Sequence, residues 1–167
     1  MSNIDFKIEN GVGIITFNRP DKFNSFIREM AFDLHARLDE CQSNKDVRSI
    51  YITGTGKAFC AGQDLAEAID SEQTALDKIV EEHYNPIIIR LRNIEKPIIC
   101  GVNGVAAGAG ANIALACDIT IAGNSVAFIQ AFSKIGLVPD SGGTYYLPRL
   151  IGMQKAAALM FLGDKVM

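Results

Sequence analysis

The chain has 167 residues, of which 49% are hydrophobic and 21% charged, and its formal net charge at pH 7 is −3. This composition is typical of a globular domain with a substantial core, and the weak negative charge disfavours nucleic-acid binding. No apolar run reaches the length of a membrane span, and the N-terminus lacks the basic and apolar regions of a signal peptide. We therefore expect a cytoplasmic protein with no membrane partner, built as one domain over residues 1–167.

The cysteines disfavour a metal site. Cys41, Cys60, Cys100 and Cys117 are widely spaced, lie in apolar contexts and form no C-x-x-C pair. Together with only two histidines they provide no zinc-binding set, so we predict no metal. We expect buried thiols in a reducing compartment.

The first elements predicted in chain order are a β-hairpin and a long helix. Apolar residues alternate on both sides of Asn10-Gly11, a dipeptide that favours a hairpin turn, and the second strand covers residues 13–17. Apolar residues then recur at helical spacing over residues 25–41, which predicts an amphipathic helix. A strand-like run follows at residues 49–53.

The rest of the chain continues to alternate between strands and helices. Residues 72–92 are predicted to be mostly helical with a break at Pro86, and residues 154–162 to form another helix. Strands are predicted at residues 98–102, 119–122 and 126–129. This alternation indicates an α/β architecture that contains parallel sheet.

Two turns made largely of small residues each connect a strand to a helix. They are AFCAGQDL at residues 58–65 and NGVAAGAGAN at 103–112, which leads into a helix predicted at 109–116. Small residues allow close approach, and the first amides of a helix lack internal partners, so two such turns could offer two N–H donors to one carbonyl oxygen. The glycine spacing is not G-x-G-x-x-G, and the structural alternative is close packing of a helix on a strand.

Four segments together resemble the crotonase (enoyl-CoA hydratase/isomerase) superfamily. They are AFCAGQDL, KPIICGVNGVAAGAG, ACDITIA and GLVPDSGGT, and the opening GIITFNRP resembles the first strand of the family. The resemblance implies a spiral of repeated β-β-α units that acts on acyl-CoA thioesters. Coenzyme A would then be part of the substrate, with no separate cofactor.

The resemblance also implies that the C-terminal helical part of the family is missing. Family chains continue into helices that cap the site and help to build trimers, whereas this chain stops at Met167. We therefore expect a truncated crotonase-like core, and a homotrimer or dimer of trimers for the full-length form.

Five positions carry the catalytic prediction, each through the resemblance. The two oxyanion amides of the family match Gln63 and Ala109, while its two hydratase glutamates match Asn112 and Phe132. Neither of these last two side chains can act as a general base, so simple hydration is disfavoured. Asp140 lies where some branches have an acid/base or nucleophilic aspartate.

Three hypotheses follow for the function. The run GLVPDSGGTYYLPRL most resembles the branch that isomerises 1,2-epoxyphenylacetyl-CoA to its oxepin and shifts enoyl-CoA double bonds, which favours an isomerase that uses Asp140. A second hypothesis is another reaction of the family, such as hydration or aryl-CoA dehalogenation. Dehalogenation needs a histidine, and His83 is expected to be a solvated helix residue. The third is a non-catalytic binding protein, in which Asp140 would be only a helix cap or turn residue.

The resemblance implies further contacts with the substrate. They are Lys22 and Phe23 beside the adenine and phosphates of coenzyme A, Phe132 in the lining of the acyl pocket, and Ala61, Asp64 and Leu65 as further substrate-binding residues. A helix cap is the alternative role for Asp64, and a plain surface turn is the alternative for Lys22.

Overall fold

The computed structural model describes residues 2–69 and 75–167, and these residues form two β-sheets. The strands are β1 (Ile4–Glu9), β2 (Val12–Phe17), β3 (Ser49–Gly54), β4 (Ala58–Cys60), β5 (Ile98–Val102), β6 (Val105–Ala107), β7 (Ile119–Ala122), β8 (Ala127–Ile129) and β9 (Lys165–Val166). The larger sheet has the order β1-β2-β3-β5-β7 and the smaller sheet the order β4-β6-β8-β9.

The sheets wind as a spiral of strand pairs. In each of the pairs β3–β4, β5–β6 and β7–β8, the first strand lies in the larger sheet and the second in the smaller one. All pairings between these neighbours are parallel, and a helix follows each pair. The expected α/β fold, with parallel sheet and repeated β-β-α units, is confirmed.

The hairpin at the start of the chain is also confirmed. Strands β1 and β2 pair in antiparallel fashion from Ile4↔Phe17 to Glu9↔Val12. Asn10 and Gly11 have φ angles of 52° and 82°, the left-handed conformations that a tight Asn-Gly turn requires.

The helices cover most of the segments between the strands. They are α1 (Arg28–Ser43), α2 (Leu65–Ile69), α3 (Leu76–Lys78), α4 (Asn85–Asn93), α5 (Ala109–Ala116), α6 (Gly143–Ile151) and α7 (Met153–Leu162), with short 3-10 helices at Pro20–Lys22 and Ala131–Ile135. One face of α1 buries Met30, Leu34, Leu38 and Cys41 against the larger sheet, as its periodicity predicts.

Helix α1 begins three residues later than predicted. Phe26 is extended because it pairs with the turn after β4: its N–H donates to Gly62 O at 2.7 Å, and its carbonyl accepts from the N–H of Asp64 at 2.8 Å. A contact between segments far apart in sequence therefore overrides the local helical preference.

The segment predicted to be helical over residues 72–92 contains an irregularity that the sequence did not reveal. Residues 72–74 of this prediction lie outside the described residues. From Leu76 the chain is helical, but Ile79–Tyr84 forms a π-helix between α3 and α4. Pro86 lies in the first turn of α4, where its missing N–H is tolerated, so the irregularity precedes the proline.

Three short strands and one helix in the structure were not predicted from the sequence. Strands β4, β6 and β9 have only two or three residues, too few for an alternating pattern. Helix α6 begins at Gly143 in a run rich in glycine and tyrosine, which have poor helix propensity.

The four cysteines are all buried thiols, as predicted. Across residues 2–69 and 75–167, no helix combines the length and apolarity needed to cross a membrane.

Candidate functional site

The two turns of small residues meet beside the smaller sheet. Gly62 has a φ angle of +92°, and a Cβ atom there would lie 3.0 Å from Ala107 O and 3.5 Å from Ala109 N. A Cβ at Gly110 would overlap the Cys60 carbonyl. The start of α5 therefore packs directly on the turn between β4 and α2, which requires glycine at both contacts.

The peptide N–H groups of Gln63 and Ala109 are both free of backbone partners within the described part of the chain. In a trans peptide the C=O and N–H point in opposite directions. Gly62 O accepts from Phe26 and Gly108 O accepts from Asn112, so the N–H groups of the next residues point away from those donors. Both N–H groups are thus available to an external acceptor.

Gln63 and Ala109 line one cavity of about 300 Å³. Of the residues predicted to contact substrate, Ala61, Leu65 and Phe132 line it as well. Its walls are largely apolar, with contributions from Leu65, Leu76, Ile79, Phe132, Ile135 and Leu137. An acyl group would therefore fit its chemistry.

Asp140 also lines this cavity. Burial raises the pKa of its carboxyl above the ordinary value, and a hydrogen bond from Ser141 opposes that rise. Ser141 Oγ donates to Asp140 Oδ1 at 2.8 Å. The N-cap of helix α6 is Gly142, and no side-chain hydrogen bond caps it. The alternative that Asp140 serves as a helix cap is therefore not supported.

The turn that carries Asp140 is tied to helix α5 through Asn112. Asn112 Nδ2 donates to Asp140 O at 2.9 Å, and Asn112 Oδ1 accepts from Gln130 Nε2 at 2.8 Å. Asn112 is fully buried and lies three residues after Ala109 in the same helix. One helix thus holds both the Ala109 amide and the backbone of Asp140.

Asp64 is a structural residue and does not line the cavity. Its Oδ1 accepts from the N–H of Ala66 at 3.1 Å, and its Oδ2 pairs with Arg19 Nη2 at 3.0 Å. It therefore caps helix α2, which was the alternative role, and its contact with substrate stays a prediction.

Lys22 and Phe23 lie at the surface, outside this cavity. Lys22 ends the 3-10 helix, and Phe23, with a φ angle of 51°, is 54% exposed. Val138, two residues before Asp140, is 81% exposed and does not line the cavity. Phe132 and Leu137 provide the apolar neighbours instead.

His83 is not the solvated helix residue that its charged neighbours in sequence suggested. It is completely buried, its ring lies 5.8 Å from that of Phe32, and neither ring nitrogen has a hydrogen-bond partner among the described residues. The π-helix turns it inward, because its longer repeat changes which residues face the core. His83 does not line the cavity.

Tyr84 is a site residue that the sequence did not reveal. It lines the cavity, is 1% exposed, and donates from its hydroxyl to Gln63 Oε1 at 2.8 Å. Burial raises the pKa of its phenol well above the ordinary value, so the hydroxyl remains a donor. No local pattern distinguishes it from a core tyrosine, since its partner lies 21 residues earlier.

A sequence profile of the enoyl-CoA hydratase/isomerase family matches residues 7–167. The chain therefore belongs to this family, the crotonase family that its motifs resemble.

The names of individual relatives are consistent with this family, and they include both isomerases and hydratases. The chain is 49% identical to the 1,2-epoxyphenylacetyl-CoA isomerase of Escherichia coli (strain K12), over 95% of this chain and 62% of that protein. It superimposes with a TM-score of 0.93 on a Mycobacterium abscessus protein that bears the enoyl-CoA hydratase/isomerase name, at 37% identity over 98% of this chain and 64% of the other. An enoyl-CoA hydratase from Bacillus anthracis gives a TM-score of 0.89 at 30% identity, over 99% of this chain and 64% of that one. The chain thus spans less than two thirds of the length of these relatives.

Proposed function

We propose that the protein is an acyl-CoA isomerase in which Asp140 moves a proton while Gln63 and Ala109 hold the thioester oxygen. The observation that carries this proposal is one largely apolar cavity lined by one carboxyl of raised pKa and by two N–H donors that have no backbone partner among the described residues. The substrates are 3-enoyl-CoA esters, 1,2-epoxyphenylacetyl-CoA, or both. The likeness to the Escherichia coli isomerase supports 1,2-epoxyphenylacetyl-CoA as a substrate.

The chemistry follows from the developing charge on the thioester oxygen. Removal of a proton from the carbon next to the carbonyl leaves an enolate, and two N–H groups aimed at its oxygen stabilise that charge. For a 3-enoyl ester, the Asp140 carboxylate takes the proton from C2 and its acid form returns one to C4. The double bond then lies between C2 and C3, with no net change in composition. A raised pKa suits Asp140 to both steps, because it strengthens the base and keeps the acid available.

Asn112 and Phe132 support the isomerase over a hydratase. Asn112 is engaged in hydrogen bonds to Gln130 and Asp140, and Phe132 contributes only an apolar wall. Neither activates water, so we expect negligible hydration of 2-enoyl-CoA. Dehalogenation is not favoured, since His83 is buried away from the cavity among the described residues.

The test is ultraviolet absorbance during incubation of the 167-residue chain with 3-enoyl-CoA, 2-enoyl-CoA and 1,2-epoxyphenylacetyl-CoA. We expect turnover of the first or third ester, and Asp140→Asn should lower kcat by about a hundredfold or more, as loss of a general base does. Binding of the CoA ester should change by less than about twofold, since only a transition-state interaction is lost.

The matched control is Asp46→Asn, which removes an exposed carboxylate far from the cavity and should leave kcat unchanged. Parental turnover by the Asp140→Asn variant would show that Asp140 is only a turn residue. Rapid hydration of 2-enoyl-CoA by the parent would contradict the isomerase assignment.

A further inference from the structure

The side chain of Gln63 is held at both of its polar ends. Its Oε1 accepts from the Tyr84 hydroxyl at 2.8 Å, and its Nε2 donates to Glu67 Oε2 at 2.7 Å. Glu67 Oε1 in turn accepts from the N–H of Arg28 at 2.8 Å. A continuous set of hydrogen bonds therefore connects the Gln63 side chain to α1, α2 and the π-helix.

Tyr84 reaches Gln63 because of the irregular helix that carries it. It is the last residue of the π-helix, and such segments occur mostly as single irregular turns inside α-helices, often at functional sites. Its ring lies 6.1 Å from that of Phe26, the residue whose backbone pairs with the peptides on both sides of Gln63. Tyr84 thus supports the same turn twice, through its ring and through its hydroxyl.

The two contacts act on different parts of the turn. Pairing with Phe26 restrains Gly62 O and the N–H of Asp64, but the Gln63 side chain projects from the residue between them. The Gln63 N–H lies in the same peptide plane as Gly62 O, and because one hydrogen bond from Phe26 holds that oxygen, the plane can still rotate about this bond and tilt the Gln63 N–H. The Tyr84 hydroxyl opposes that rotation, because its bond to Oε1 would break.

We propose that Tyr84 is a positioning residue that keeps the Gln63 N–H aimed at the thioester oxygen. The inference rests on the oxyanion role of Gln63 and Ala109 given under the proposed function. A purely structural role would require only the aromatic ring, whereas the proposed role requires the hydroxyl.

Two substitutions remove the same hydrogen bond from opposite ends. Tyr84→Phe keeps the ring and deletes the donor, and Gln63→Met deletes the acceptor while leaving the backbone N–H. Each should lower kcat by about tenfold with KM changed less than about twofold, a smaller loss than removal of an oxyanion donor itself. The double variant should lose no more than Gln63→Met alone, because Gln63→Met already removes the bond to Tyr84 together with the bond to Glu67. Tyr51→Phe, in strand β3 away from the cavity, is the matched control.

A spectroscopic measurement tests the same point without turnover. Phenylacetyl-CoA labelled with ¹³C at the thioester carbonyl lacks the double bond and epoxide that isomerise. Its carbonyl stretching frequency should fall on binding to the parent, since hydrogen bonds to the oxygen weaken the C=O bond. Tyr84→Phe and Gln63→Met should lose much of that shift, and Tyr51→Phe should retain it.

Each outcome decides the proposal. A parental kcat and a parental carbonyl shift in Tyr84→Phe would overturn it, as would additive losses in the double variant. A parent that binds the labelled ester with no shift would also overturn it, because no held oxygen would exist. A shift in the parent without isomerase turnover would refute the proposed function alone, and the variants would still test Tyr84. If Tyr84→Phe fails to fold, Gln63→Met gives the result.

Discussion

At the scale of single residues, the site is built around a carboxyl placed where its charge is unfavourable. Asp140 lines the cavity together with Phe132 and Leu137, and the hydroxyl of Ser141 is its one side-chain donor among the described residues. Asn112 holds its carbonyl oxygen, but this bond does nothing to stabilise the carboxylate. The arrangement favours reactivity at the expense of stability, a common feature of active sites.

The unfavourable burial of the Asp140 carboxylate predicts that Asp140→Asn stabilises the fold. Burial raises the pKa of Asp140 above its unfolded value, so ionisation removes stability as the pH rises through the folded pKa. At pH 7 the parent carries this penalty and the asparagine variant does not. We expect the Tm of Asp140→Asn to rise by roughly a few degrees in differential scanning calorimetry at neutral pH.

The difference between variant and parent should narrow as the pH falls below the folded pKa of Asp140, where the parent is protonated too. Asp46→Asn, at an exposed position, should have the parental Tm throughout. An unchanged or lower Tm for Asp140→Asn at pH 7 would contradict the predicted desolvation.

At the scale of elements, the π-helix Ile79–Tyr84 determines which of its side chains reach the cavity and which are buried in the core. It places Tyr84 at the cavity and buries His83 behind it, next to Phe32 and beneath helix α1. The backbone carbonyl of His83 accepts a hydrogen bond from His35 Nε2 at 2.9 Å. Two histidines are thus enclosed in one packed region that does not line the cavity.

The buried histidines predict that the protein loses stability in mild acid. Burial lowers the pKa of both His35 and His83 below the ordinary value of 6.5. As the pH falls below 6.5, these histidines bind more protons in the unfolded chain than in the folded protein. The free energy of unfolding therefore decreases as the pH falls below this value. The Tm measured at about pH 5.5 should be lower than that at about pH 7.5.

His83→Phe tests which group is responsible. The phenyl ring suits a site beside Phe32 and Tyr84, and it loses no hydrogen bond, since the nitrogens of His83 have no partner within residues 2–69 and 75–167. The variant should show a weaker dependence of Tm on pH than the parent, with the remainder due to His35. The same dependence in both proteins would exclude His83 as a contributor.

At the scale of the whole molecule, the last two helices present an apolar surface to solvent. Helices α6 and α7 pack on one another, yet several of their large side chains remain exposed. These are Tyr145 at 53%, Leu150 at 59%, Met153 at 72%, Phe161 at 77% and Leu162 at 61%. Several large apolar side chains exposed on two packed helices indicate a contact site on a protein.

We therefore predict that the 167-residue chain self-associates through this surface. Light scattering should show a mean mass that rises with protein concentration, and Phe161→Glu should lower it by placing a charge where contact would bury it. Ile8→Glu, at an exposed position of the edge strand β1, should behave like the parent. Identical mass distributions for Phe161→Glu and the parent would show that this surface is not the contact.

Much of the fold could be predicted from local patterns. The hairpin at Asn10-Gly11, the apolar face of α1, and the strands β5 and β7 follow from residue types and spacing over a few positions. The two turns of small residues indicated that backbone groups approach closely there, and the structure brings the two turns together as predicted. The family motifs identified the family because they combine many such local requirements in order.

The tertiary structure alone decided which side chains share the cavity and which do not. Tyr84 reaches Gln63, and Asn112 reaches Asp140, across 21 and 28 positions of sequence. Val138 faces solvent although its neighbour Leu137 faces the cavity. Such contacts depend on how distant elements pack, so the spacing of neighbouring residues does not predict them. The π-helix also changes which of its residues face the core, and no local spacing predicted that irregularity.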